Sequence, residues 1–286
     1  MSIAVSDPAA GRRSPGGRLA AALRAAAGRS RRVLWRRPEW WALGLAAAAW
    51  AALVAADLAG HGADGTHGAH AAGGAHGHHG HAMPGGGDAA APGAAFLAAV
   101  LGDTAHWQLM VLAMMLPVIV PSLRTVAFRS LWRRRHRAVA GFLAGYLAVW
   151  GLAGLAVCLL LAVAPVPREW QAGAVAAAFV LAAGWQWTRL KRRALVACHR
   201  TMPLAPSGPR ADRDCLAFGW RIGGSCCLGC WALMVACTLA GHSTLALAAC
   251  GGIGLAERYS WRPNNRLLAA GILALALVFG PLGLGG

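Results

Sequence analysis

The chain has 286 residues, of which 57% are hydrophobic and only 13% charged. A soluble domain of this length needs a more charged surface, so the composition excludes an ordinary soluble globular protein and points to a membrane. The formal charge of +17 comes from arginines in blocks between apolar runs, which is the layout of cytoplasmic loops and not of a nucleic-acid-binding face.

Residues 1–37 are basic and rich in Ala and Gly, and are expected to form a mostly disordered cytoplasmic tail with no cleavable signal peptide. Residues 38–60 hold the first membrane span, "WWALGLAAAAWAALVAADLA". Residues 61–94 form an extracytoplasmic loop with no branched aliphatic side chain between His61 and Pro92, which cannot build a packed core. Residues 95–286 carry six further apolar runs, near 105–123, 140–164, 170–188, 221–241, 243–256 and 267–284, with a cytoplasmic loop at 189–220. The expected fold is all-α, a polytopic transmembrane bundle of about seven spans. Arginine blocks precede the first span and follow the second, fourth and sixth, while the opposite loops hold Arg168 alone. The N-terminus is therefore expected in the cytoplasm and the C-terminus outside.

The outer loop carries His61, His67, His70, His76, His78, His79 and His81. Imidazole binds copper, zinc and nickel, and such tracts gather divalent ions. The irregular spacing encodes no single tetrahedral site, and the loop also reads as a polar linker.

In the second span His106, Met110 and Met114 recur every fourth residue and share one helix face, with Met115 beside them. Imidazole and thioether together suit Cu(I). Methionine is also an ordinary filler of helical cores, and the stripe alone reads first as packing. Pro117 and Pro121 follow and remove two backbone donors.

The fifth span contains "GGSCCLGCWALMVAC". Cys226, Cys230, Met234 and Cys237 fall on overlapping helix faces, and Cys227 with Cys230 makes a C-x-x-C pair. A lone buried cysteine is a small hydrophobe, but this density of sulfur points to metal or redox chemistry. Counting depth from the outer ends matches His106 with His242, Met110 with Cys237 and Met114 with Met234, if the second and fifth spans pack together. Cys230, Cys227 and Cys226 would continue the ladder inward. Cys198, His199 and Cys215 lie on its cytoplasmic side, where they also read as plain loop residues. Glu257 is expected to pair with Arg258 or Arg262.

With "HWQLMVLAMMLPVIVP", "WQWTRLKRRALVACHR" and "GWRIGGSCCLGCWALMVACTLAG", the region 100–260 resembles the bacterial predicted metal-binding integral membrane proteins known as domain of unknown function 2182. That family's pattern runs Cys-x-x-Cys-Cys-Trp. Aligned on Trp231, Cys226 and Cys230 match, and Gly229 stands where a cysteine is expected. The resemblance implies metal binding in a bacterial cytoplasmic membrane and supplies no reaction.

These readings lead to a membrane protein that captures a transition metal outside and handles or translocates it through a Cys/Met/His-lined bundle. Copper is favoured, with zinc or nickel as the other ions, and the chain is not expected to be an enzyme. Its expected partners are the lipid bilayer, metal ions and a metallochaperone or metalloenzyme, with no nucleic acid. The alternatives are a membrane thiol oxidoreductase using Cys227 and Cys230, and an accessory subunit that delivers metal to a metalloenzyme.

Overall fold

The computed structural model describes residues 39–64, 92–241, 243–260 and 264–282, and every regular element among them is helical. The helices are α1 Glu39–Asp64, α2 Pro92–Arg129, α3 Arg135–Val163, α4 Gln171–Trp185, α5 Arg189–His199, α6 Gly208–Leu239, α7 Thr244–Tyr259 and α8 Asn265–Leu282. Single 3-10 turns, Trp132–Arg134 and Arg168–Trp170, lead into α3 and α4. The all-α expectation holds for the described residues.

Four stretches are long and apolar enough to cross a bilayer: Glu39–Ala59, Gly93–Arg129, Trp132–Val163 and Gly208–Leu239. Four such helices among the described residues compare with seven predicted spans. Helices α4, α7 and α8 fall at the other predicted positions but are shorter. The 15 residues of α4 rise ~22 Å, against a hydrocarbon core of ~30 Å.

Small residues set the packing. α1 buries the stripe Ala42, Ala46, Ala49 and Leu53 against α2. This spacing is one face of a 3.6-residue helix, and alanine lets the backbones approach closely. α3 and α6 run parallel and meet through glycines. A Cβ on Gly219 would strike the Phe142 carbonyl, and one on Gly145 the Leu216 carbonyl; one on Gly223 would lie 3.1 Å from the Tyr146 carbonyl. α4 runs antiparallel to α6, with Gln171 Nε2 donating to the Leu239 carbonyl at 3.0 Å and Trp185 stacked edge-on to Trp231. α8 closes over α4 through Phe179 and Phe279.

The two prolines do not break α2. Pro117 has no N–H for the Ala113 carbonyl, and Pro121 has none for the Pro117 carbonyl. Trp50 Nε1 from α1 donates to the first at 3.0 Å, and the Tyr259 hydroxyl from α7 donates to the second at 3.0 Å. Both orphaned acceptors are met by other helices, as an apolar surround requires.

Charged contacts collect at one end of the bundle. Glu39 at the start of α1 meets Arg124 near the end of α2, at 3.5 Å. Asp212 in the first turns of α6 bridges Arg134 and Arg137 before and within α3. Residues 189–220 carry α5 and the beginning of α6. Between them the chain runs non-helically from Arg200 to Ser207, held by Arg129 on the Met202 carbonyl and by Asp214 on the Ala205 N–H. Gly208 takes φ 81° to turn the chain into α6.

Candidate metal centre

The cysteine-rich segment lies in the middle of α6, so Cys226, Cys230, Met234 and Cys237 share overlapping faces as their spacing predicts. Their environments differ. Cys226, Met234 and Cys237 are buried, while Cys227 and Cys230 are half-buried. Met110, Met114 and Met115 of α2 are all buried in the same core, and His106 is half-buried one turn before Met110.

α2 and α6 touch through sulfur. The Cys226 Sγ lies 3.9 Å from the Met115 Sδ. The Tyr146 hydroxyl of α3 donates to the same Cys226 Sγ at 3.3 Å. Cys226 is thus held between a thioether and a phenol. Cys230 lies one turn further along α6, with its thiol against that of Cys226.

Cys226 and Cys230 line a cavity together with Cys198 and His199 of α5 and Glu257 and Arg258 of α7. Its volume is about 30 Å³, room for a metal ion or a water or two and too little for an organic ligand. Gly229 also lines it, and a Cβ there would meet nothing within 4 Å.

Burial pushes the Cys198 thiol up to about 12, with the Cys230 sulfur adding to the rise and Arg258 opposing it. Burial lowers the pKa of His199, and Arg258 lowers it further. Both groups are therefore neutral near pH 7, and a metal binding Cys198 must displace its proton. Among the described residues no set of three or more His, Cys, Asp or Glu side chains is arranged to hold a metal ion. The donors that do converge are thiols with a thioether, a set that suits Cu(I). All eight cysteines are free thiols.

Glu257 pairs with Lys191 and not with Arg258, and Arg262 lies outside the described residues. Lys191 Nζ of α5 reaches Glu257 Oε1 at 2.8 Å, and Gln186 Nε2 donates to the same oxygen at 2.7 Å. Lys191 and Glu257 are both buried. The reason is topological: α5 folds back over α6 and α7, which puts Lys191 on an inner face that charge counting assigned to a loop.

The sulfur contact seen between α2 and α6 is not one of the depth-matched pairs. Met115, beside the predicted stripe, makes the sulfur contact with Cys226, while Met114 packs at Gly251 of α7, with a Cβ there 3.7 Å from the Met114 Cγ. His67, His70, His76, His78, His79, His81 and His242 lie outside the described residues, as does the side chain of His61. Sequence reading missed Tyr146. The chain has only two tyrosines, and both are spent on polar acceptors in the bundle, which is the signal that could have exposed Tyr146.

The described residues thus form an all-helical bundle with long apolar helices and a thiol–thioether contact between two of them. Residues 104–281, more than half of the chain, match the PpoB2 family, described as a copper chaperone, and the chain belongs to that family. The match includes the whole sulfur cluster and stops short of α1 and the histidine segment. It agrees with the metal-related character implied by the motifs, and the family's description points to copper handling. No curated protein and no solved structure matches the chain.

Proposed function

We propose that this chain is a multi-pass membrane copper chaperone that holds Cu(I) between α2, α5 and α6 and passes it to a copper-requiring protein. The observation that carries the reading is the Met115–Cys226 sulfur contact at the wall of a cavity that Cys230 and Cys198 also line. Cys226 and Cys230 supply thiolates and Met115 a thioether, which together favour Cu(I) over harder ions. Cys198 is the cavity thiol carried by the arginine-rich helix α5, and it releases the ion on that side. In this reading the N-terminus is cytoplasmic, the arginine blocks face the cytoplasm, and His61, His67, His70, His76, His78, His79 and His81 collect metal on the other side.

The test is an anaerobic Cu(I) titration of purified protein against a competing chelator. The double variant Cys226→Ser with Cys230→Ser is expected to bind at least ~100-fold more weakly, since two thiolate donors are lost. Unchanged Cu(I) affinity in a folded double variant overturns the assignment. Equal affinity of the wild type for Zn(II) and Cu(I) overturns the choice of metal.

A further inference from the structure

Helix α5 turns its charges two ways. Lys191 is 3% exposed and paired with Glu257. Arg189, Arg192, Arg193 and Arg200 are exposed and, with Val196, line an open groove of about 570 Å³. Steps of three and four residues put them on one helix face, away from Lys191. Among the described residues no carboxylate forms an ion pair with any of the four arginines. Like charges at i, i+3 and i, i+4 destabilise a helix, so an anion among them is favoured.

The depth of α5 indicates where that anion comes from. Gln171 at the start of α4 bonds the Leu239 carbonyl at the end of α6, so these two ends are level. From there α4 rises ~22 Å to Trp185, and residues 186–188 turn the chain into α5. The groove therefore begins near the far boundary of a hydrocarbon core ~30 Å thick, where lipid phosphates lie. Lys191 on Glu257, and Arg258 Nη1 on the Cys198 carbonyl at 3.3 Å, hold α5 across the end of α7. Exposed tryptophans mark the same boundary: Trp187 just before α5, and Trp220, ~28 Å along α6 from Leu239. Val196 is apolar and 56% exposed among the arginines, which suits the edge of the acyl region better than the acidic surface of a soluble partner.

We propose that the arginine face of α5 binds the phosphodiester headgroup of an anionic phospholipid. Guanidinium groups match phosphate oxygens in pairs, and basic clusters at the end of membrane helices select anionic lipids. The bilayer rests on the membrane placement proposed above; the groove rests on residues that the copper site does not use. The occupied helix is the one whose inner side carries Cys198 to the cavity.

The experiment is native mass spectrometry of the full chain in a neutral detergent, titrated in turn with phosphatidylglycerol, phosphatidylcholine and inorganic phosphate. Wild type is expected to retain phosphatidylglycerol at least ~10-fold better than phosphatidylcholine, and to retain no inorganic phosphate. Arg192→Gln with Arg193→Gln and Arg200→Gln is expected to lose the preference. Arg133→Gln with Arg210→Gln and Arg213→Gln removes the same number of exposed charges from other segments and is expected to keep it. Equal loss in both variants means diffuse charge and overturns the groove. Inorganic phosphate retained as well as the lipid makes this a phosphate site and overturns the lipid. No preference in wild type leaves the arginines to an acidic protein and overturns the proposal, whether or not the α5 variant folds. A chain soluble without detergent overturns the membrane reading itself, and the lipid site with it; a detergent-requiring chain without the preference overturns the site alone.

Discussion

The Tyr146 hydroxyl donates to the Cys226 sulfur at 3.3 Å from a position with no access to water. A hydrogen bond to a thiolate withdraws charge from sulfur and fixes the direction of its remaining lone pairs. In the proposed site Tyr146 would orient a ligand without being one. Tyr146→Phe keeps the ring and removes the donor. It is expected to weaken Cu(I) binding ~10-fold, as for other partners of metal ligands, with little change in the thermal melt. Competition titration of the variant beside wild type checks this, and equal affinity would remove Tyr146 from the site.

Glycine has opposite meanings at two places on α6. Gly219 sits against the Phe142 carbonyl, so Gly219→Ala forces α3 and α6 apart; a loss of ~1–3 kcal/mol is expected, read as a lowered melting temperature in detergent. Gly229 opens into the cavity with free space around it. Gly229→Cys is expected to fold as wild type and to tighten Cu(I) binding by adding a third thiol beside Cys226 and Cys230. Loss of folding at position 229, or affinity no better than wild type, would show that the cavity does not accept another ligand.

Cys198 offers a pH readout that needs no metal. An ordinary thiol with a pKa near 9.0 alkylates faster with rising pH and levels off above it, whereas a thiol at about 12 keeps rising about tenfold per unit. The sign follows from burial, which disfavours the charged thiolate. Mass-spectrometric alkylation rates for Cys198 between pH 8 and 10 are expected to climb without a plateau. A plateau near pH 9 would mean that Cys198 is open to water.

The buried Lys191–Glu257 pair supports α5 over the cavity. Removing one partner leaves a charge among apolar helices, so Lys191→Met is expected to cost ~3–5 kcal/mol, and Lys191→Met with Glu257→Leu much less. Thermal melts of the three proteins check this. A double variant no more stable than the single one would show that the pair is not the source of the loss.

Local sequence carried a good deal of this. The apolar runs lie in helices because a run near 20 residues has few other uses, and the i, i+4 spacing of Cys226, Cys230 and Met234 stacks them by helix geometry alone. The missing parts are contacts between distant residues. Nothing near Lys191 in the chain distinguishes it from the arginines around it; only the return of α5 onto α7 buries it. Depth counting named Met114 as the stripe residue opposite Met234, but rotation about the α2 axis decides whether residue 114 or 115 turns to Cys226, and counting along the axis does not contain that angle. Cys250 stands alone in its segment, and only the fold puts it in the core of the bundle.

The two prolines of α2 also say something about the order in which the protein is finished. Trp50 is made before α2, so the Ala113 carbonyl finds its donor as soon as the first two helices meet. The Pro117 carbonyl waits for Tyr259, which is 142 residues away along the chain. Until α7 has been synthesised and docked, the middle of α2 has an acceptor that its own helix does not serve. The helix that brings Met115 to Cys226 thus gains its last hydrogen-bond partner only once α7 is in place, and a chain cut short before Tyr259 leaves the Pro117 carbonyl without that donor.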